Sequence, residues 1–226
     1  MYKVVIPGDF VSDETNRAGE GTYVEDGKVY AMSYGIVDDK TEIRVVAFTG
    51  KYVPTRGDVV IGKVVEISFP YWIVDIASPY EARLHMSEVA MRAEERVEFG
   101  DMNAYLDLDA LIAVKILNVD ALMRIELGLS DDFDDIKGGG RLIEIPYTKV
   151  PRIIGRKGSM VRLLKEKCNC SIFVAKNGRI WIKGKEEEMT LASEVILMIT
   201  NEAHTAGLTD RVADFLESYR RKAGKR

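Results

Sequence analysis

Ile153-Ile154-Gly155-Arg156-Lys157-Gly158-Ser159-Met160 is the stretch that decides how this chain is read. Two glycines three apart bracket two cations. Apolar residues precede the loop, and a helix-forming run, Met160 to Lys167, follows it. Glycine carries no Cβ, so a sugar-phosphate strand can lie against the main chain there. The helix that follows points its unpaired N–H groups and the positive end of its dipole at the same place. Arg156 and Lys157 add full charges at the tip, and Arg152, Ile154 and Ser159 flank it. The pattern implies a site for a phosphate backbone.

The 226 residues are 46% hydrophobic, enough for packed cores in one large domain or two to three small ones. The longest apolar runs, such as Val45–Phe48 and Val195–Ile199, are too short to cross a bilayer. The first residues show no signal-peptide pattern, so a soluble cytoplasmic protein is expected. Cys168 and Cys170 form an isolated C-x-C. That is a poor zinc site and a strained disulfide, and reduced thiols are expected, one ending a helix and one entering a strand. His85 and His204 are far apart, and neither lies in a nucleophile motif. No catalytic residues, metal or cofactor are assigned, and the chain is not read as an enzyme.

The net charge of −4 hides a split. Residues 1–140 hold 14 Lys and Arg against 26 Asp and Glu, whereas residues 141–226 hold 18 against 10. The basic part, which contains the glycine loop, suits phosphate. The acidic part suits basic protein surfaces.

Along the chain, residues 1–54 read as a small N-terminal β domain of short strands, with a hairpin signal at Asp26-Gly27. Residues 55–130 give strand candidates at Val59–Ile67, Tyr71–Ala77, Ala82–His85, Leu111–Val119 and Met123–Leu129, with a helical insertion at Glu88–Glu95. That suits a five-stranded OB barrel. Residues 131–140, with four aspartates and three glycines, read as a solvated Asp/Gly linker rather than a Mg²⁺ site. Residues 141–226 read as strand Arg141–Ile145, a short helix after Pro146, the glycine loop and helix Met160–Lys167. Strands Ser171–Ala175 and Arg179–Lys183 follow, joined by an Asn177-Gly178 turn. A long helix then runs from Glu186 to about His204, and a last helix, Arg211–Tyr219, is expected to be capped at Thr209-Asp210.

The β-α-α-β-β-α order around an intact Gly155-Arg156-Lys157-Gly158 resembles a type I KH domain, a module that clamps about four backbone nucleotides. Residues 55–130 resemble the S-one RNA-binding domain. The match runs through Gly57–Val65, Val74-Asp75-Ile76, Arg83-Leu84-His85-Met86-Ser87-Glu88, Ile112–Ile116 and Ile125–Ser130. The family's two stacking aromatics fall on Pro70 and Ile73, so the base platform looks degraded. Tyr71 and Trp72 are adjacent, but a slip of one residue faces the other side of a strand. Trp72 is expected in a core or an interface. Lys63, Arg83 and His85 remain as RNA contacts, and the barrel is expected to touch protein more than RNA.

The three domains in this order resemble the cap subunit of the RNA exosome, in its archaeal form, within the ribosomal-RNA-processing protein four family. Pro7-Gly8-Asp9, Gly21-Thr22-Tyr23 and Tyr52-Val53-Pro54-Thr55-Arg56-Gly57-Asp58 carry the N-terminal part of the likeness. The resemblance implies a non-catalytic subunit that gathers single-stranded RNA. Three copies would cap a ring of phosphorolytic subunits, with no membrane involved. A free-standing RNA chaperone or ribosome-assembly factor built from the same modules is the alternative reading.

Overall fold

The computed structural model describes residues 3–93, 102–136, 138–203, 205 and 207–223. The chain divides into two compact units, Met1–Gly50 and Lys51–Arg226.

The first unit holds β1 (Val4–Val5), β2 (Phe10–Ser12), β3 (Thr22–Glu25), β4 (Lys28–Ala31), β5 (Gly35–Asp38) and β6 (Arg44–Ala47). They form two three-stranded sheets, ordered β1-β5-β6 and β2-β4-β3. Asp26 and Gly27 both have positive φ, at 48° and 71°. They form a two-residue loop closed by the Glu25–Lys28 pair, the primed geometry that matches strand twist. The core is small, with Val5, Ala31 and Val45 backed by Val11 and Val37.

The second unit begins with a barrel. Its elements are β7 (Val59–Ser68), β8 (Tyr71–Asp75), β9 (Ala82–His85), α1 (Met86–Ala93), α2 (Met102–Tyr105), β10 (Leu111–Val119) and β11 (Ile125–Leu129). The five strands close in the order β10-β11-β9-β8-β7, the expected OB topology. The end of the expected helical insertion, residues 94 and 95, lies outside the described residues. Alternation decides which side chains fill the interior. Val60, Val64, Trp72, Val74, Leu84, Ile112, Val114 and Ile116 point inward and are buried. Trp72 is fully buried, and its indole N–H donates to the Leu106 carbonyl at 3.0 Å.

The chain continues through β12 (Arg141–Glu144), α3 (Val150–Ile154), α4 (Ser159–Cys168), β13 (Ser171–Val174), β14 (Arg179–Lys183), α5 (Glu186–Asn201) and α6 (Leu208–Ala223). The antiparallel sheet is ordered β12-β14-β13, and the helices cover one of its faces. Ile153, Leu164, Ile172, Ile180, Ile182, Val195, Ile196 and Ile199 form that core, each burial contributing about 1.5–3 kcal/mol. Val212 and Leu216, four apart on α6, pack into the same core. Thr209 and Asp210 lie inside the first turn of α6, which starts at Leu208, so they do not cap it as expected. His204 and residues 224–226 lie outside the described residues. Cys168 and Cys170 are buried and form no disulfide, at the end of α4 and just before β13, and the Cys170 thiol donates to the Cys168 carbonyl at 3.4 Å.

The other face of the sheet is covered by the barrel. Ile61 and Ala113 point out of the barrel wall and are completely buried against Trp181 and Ala175, with Leu111, Leu142 and Phe173 around them. The stretch read as a solvated linker contributes to this joint. Asp131–Ile136 is a 3-10 helix, and Ile136 is only 3% exposed within the apolar seam. Gly140 is there for space, since a Cβ would lie 2.3 Å from the Trp181 ring. The aspartates suggested solvent, but the apolar residue at the end of the run decided the packing.

Candidate nucleic-acid interface

The glycine loop is shaped by its own backbone. The Gly155 N–H donates to the Pro151 carbonyl at 2.9 Å and ends α3. Gly155 then takes φ 73° and ψ 176°, a conformation open almost only to glycine. Arg156–Gly158 make one 3-10 turn, with Lys157 at φ 51° and Gly158 at φ 76° in the left-handed region. α4 starts at Ser159, and its N-cap, Gly158, has no side chain to cap the first turn. The first N–H groups of a ten-residue helix are therefore presented beside the loop.

The two glycines have different roles. A Cβ on Gly155 would lie 2.8 Å from both the nitrogen and the Cβ of Met160, so the fold itself needs glycine there. A Cβ on Gly158 would meet nothing nearer than Val161 Cγ1 at 4.0 Å. The open space is at Gly158. Arg152, Arg156 and Lys157 are exposed, and none forms an ion pair within the described residues. Ile153 anchors the loop from below at 0% exposure, with Ile154 half-buried beside it. The expected residues of this loop are thus brought together.

On the barrel, Arg83 and His85 come together and Lys63 does not join them. Tyr71 pairs with His85 and Ile73 with Arg83 across β8 and β9, so all four share the outer face. The Tyr71 and His85 rings meet edge to face with centroids 5.0 Å apart. The Arg83 guanidinium carbon lies 5.9 Å from the Tyr71 ring centroid, and its Nε–H donates to Glu81 at 2.7 Å. The Ser87 backbone N–H donates to His85 Nδ1 at 3.1 Å, so neutral His85 carries its proton on Nε2. Lys63 faces Asp75 across β7 and β8, four residues along β8 from Tyr71, about 13 Å at strand spacing. Its ammonium pairs with Asp109 at 2.7 Å.

Here the sequence reading needs correcting. Tyr71 does not face away from the Ile73 position but lies beside it, because residues two apart on a strand share a face. Pro70 lies in the turn between β7 and β8, so a one-residue slip counted from Pro70 gave the wrong side.

Sequence reasoning also missed the polar half of the joint. Asn177, 4% exposed, donates from Nδ2 to the carbonyls of Ile61 at 2.8 Å and Ile76 at 2.9 Å, and accepts from the Ile61 N–H at 3.4 Å. The Lys176 N–H donates to the Val59 carbonyl at 3.1 Å. Arg179, 6% exposed, donates to the Asp75 carbonyl at 2.6 Å, to the Asp75 carboxylate, and to Glu144 at 2.8 Å. The only local signal was the Asn-Gly pair, which a hairpin turn already explains.

An OB barrel fused to a type I KH fold, with an open cationic glycine loop, defines a protein of nucleic-acid-binding architecture. Family models agree along its length. Residues 4–38 match one described as the exosome complex exonuclease RRP4 N-terminal region, residues 51–115 one described as RRP4, S1 domain, and residues 141–198 one for the KH domain. The Exosome complex component Rrp4 of Methanococcoides burtonii is 42% identical over 214 residues, covering 95% of this chain and 80% of that one. Its namesake in Methanothermus fervidus is 41% identical over 216 residues, covering 94% of each. A crystal structure provisionally described as an exosome complex RNA-binding protein superposes with a TM-score of 0.65 at 36% identity, covering 77% of this chain and 99% of that one. The chain belongs to the Rrp4 family of exosome complex components. Among the described residues, no helix is long and apolar enough to cross a membrane.

Proposed function

We propose that this chain is a non-catalytic RNA-binding cap subunit of an archaeal-type exosome, working in the cytoplasm. It captures single-stranded RNA and passes it to a phosphorolytic ring for 3′-to-5′ degradation or processing. Three copies would sit on one ring, and tethering them would raise apparent affinity through effective concentration. The observation that carries this reading is the open, unpaired Arg156-Lys157 loop at the start of α4, in a chain about 40% identical to archaeal Rrp4 components over nearly its whole length. Gly155, Arg156, Lys157 and Gly158 hold the sugar-phosphate backbone, flanked by Arg152, Ile154 and Ser159. Arg83, His85 and, more weakly, Lys63 add contacts on the barrel.

Purification of the native protein from its cells tests this directly. It should leave the extract in a large particle with phosphorolytic subunits, and alone it should bind oligoadenylate without degrading it. Elution as a free monomer, or with ribosomal particles only, would favour the chaperone or assembly-factor reading. Phosphate-dependent nucleotide release by the isolated chain would overturn the non-catalytic assignment.

A further inference from the structure

The barrel wall formed by β8 and β9 has a feature that the glycine loop lacks, an aromatic ring between two nitrogen-rich side chains. We propose that Tyr71 is the base-stacking residue of this barrel, holding one nucleobase of a single-stranded RNA against Arg83 and His85. The proposal rests on the RNA-binding reading above and assigns a residue outside the positions where the S-one pattern carries its aromatics.

Three observations support it. First, those positions, Pro70 and Ile73, offer no aromatic face, while Tyr71 shares the outward side of β8 with Ile73. Tyr71 thus offers, on the same face, the aromatic ring that those two positions lack. Second, the surroundings match a base. Exposed Arg83 lies over the Tyr71 ring at 5.9 Å. A base stacked between ring and guanidinium needs two spacings of about 3.4 Å, so Arg83 has to yield by about 1 Å. It has the freedom to do so, since its ion-pair partner is the exposed Glu81. Third, His85 is fixed for donation. The Ser87 N–H occupies Nδ1, which leaves Nε2–H as a donor to a base edge or a phosphate oxygen. The occupant is RNA rather than protein because the Arg83 guanidinium lies over the ring, the His85 Nε2–H stands beside it as a donor, and Tyr71 is itself only half-buried, an open aromatic platform with a cation on it.

The test uses the full-length protein, labelled oligoadenylate, and the variants Tyr71→Leu and Tyr71→Phe. Leucine keeps apolar bulk and removes the π-face, whereas phenylalanine keeps the face. Tyr71→Leu should weaken binding roughly 5- to 100-fold, the range for losing one stacked base, with Tyr71→Phe within about twofold of wild type. The salt slope should be unchanged in both, because neither variant removes a cation. An oligonucleotide carrying 5-iodouridine should photo-crosslink to the Tyr71 peptide of the wild-type protein, a readout that does not depend on any variant folding.

If wild type binds RNA, Tyr71→Leu binds equally well and the crosslink maps elsewhere, this inference falls and the RNA-binding reading stands. If wild type binds no RNA, both fall. If Tyr71→Leu keeps RNA affinity but no longer joins the ring subunits, the wall is a protein contact and the inference is overturned.

Discussion

Two glycine turns of the same KH domain, Gly155–Gly158 and Ala175–Gly178, start from similar material and end as opposites. Each has a glycine at positive φ, and each carries two cations at or beside its tip. In the first, Arg156 and Lys157 stand in solvent, and the space over Gly158 is open. In the second, Asn177 and Arg179 are buried, and their polar atoms bind the barrel. A Cβ on Gly178 would lie 2.2 Å from the Ile145 carbonyl oxygen. The difference is between donors left open to solvent and donors taken up in a joint between barrel and KH fold. A positive-φ glycine and two cations are common to both, and the turns differ in whether the fold has already satisfied their donors.

The largest expected effect lies at the joint. Asn177→Leu removes the donor to the Ile76 carbonyl, the acceptor of the Ile61 N–H, and one of two donors to the Ile61 carbonyl, which keeps Arg179 at 3.3 Å, all in a buried interface. At about 1–3 kcal/mol for each buried group left unpaired, a destabilisation of about 3 kcal/mol is expected. Urea unfolding should show a lowered midpoint, while oligoadenylate affinity per folded molecule stays within about twofold. A large drop in affinity at unchanged stability would mean that the second turn also touches RNA.

Much of this contrast was hidden in the sequence, for a physical reason. Periodicity and turn chemistry are local, so the barrel strands, the two long KH helices and the glycine loop were legible to within a few residues. The joint is not local. Asn177 meets Ile61 across 116 residues, and nothing near Asn177 indicates that its amide is needed elsewhere. Ile136 was obscured by the aspartates before it, and Tyr71 by counting register from Pro70, which lies in a turn. Within the loop, the sequence treated the two glycines as equivalent. Only the position of Met160 separates Gly155, required by the fold, from Gly158, open to a ligand.

That distinction gives the next prediction. Gly158→Asp has room, and an aspartate tolerates the left-handed region at about 1–2 kcal/mol. It places a carboxylate at the start of α4, where the proposed site would take a phosphate, so RNA affinity should fall by roughly tenfold or more. Gly155→Asp should act mainly on stability, because its Cβ collides with Met160. Oligoadenylate titration with circular dichroism melts separates the two. If both variants lose only stability, the loop is a turn and nothing more. Arg156→Ala with Lys157→Ala should weaken binding less than Gly158→Asp and evenly across sequences. It should lower the salt slope by about 1 to 2, one for each phosphate no longer neutralised.

The smallest effect is expected at Lys63, and it sharpens the contrast because Lys63 is a cation with a partner. Its ammonium sits 2.7 Å from Asp109, with both side chains substantially exposed. Such pairs contribute about 0–1 kcal/mol to stability, so Lys63→Ala should leave the melting curve almost unchanged. Its contribution to RNA binding is reduced for the same reason, since a phosphate must compete with Asp109 for the ammonium. Lys63→Ala is therefore expected to weaken oligoadenylate binding by about twofold and to lower the salt slope by less than about 1. Asp109→Asn provides the converse, releasing Lys63 without removing it. If the partner is what limits Lys63, Asp109→Asn should strengthen binding slightly and raise the salt slope, and Lys63→Ala in that background should reverse the gain. If Asp109→Asn does nothing, Lys63 lies off the RNA path, and the barrel's contacts are confined to the β8–β9 wall around Tyr71.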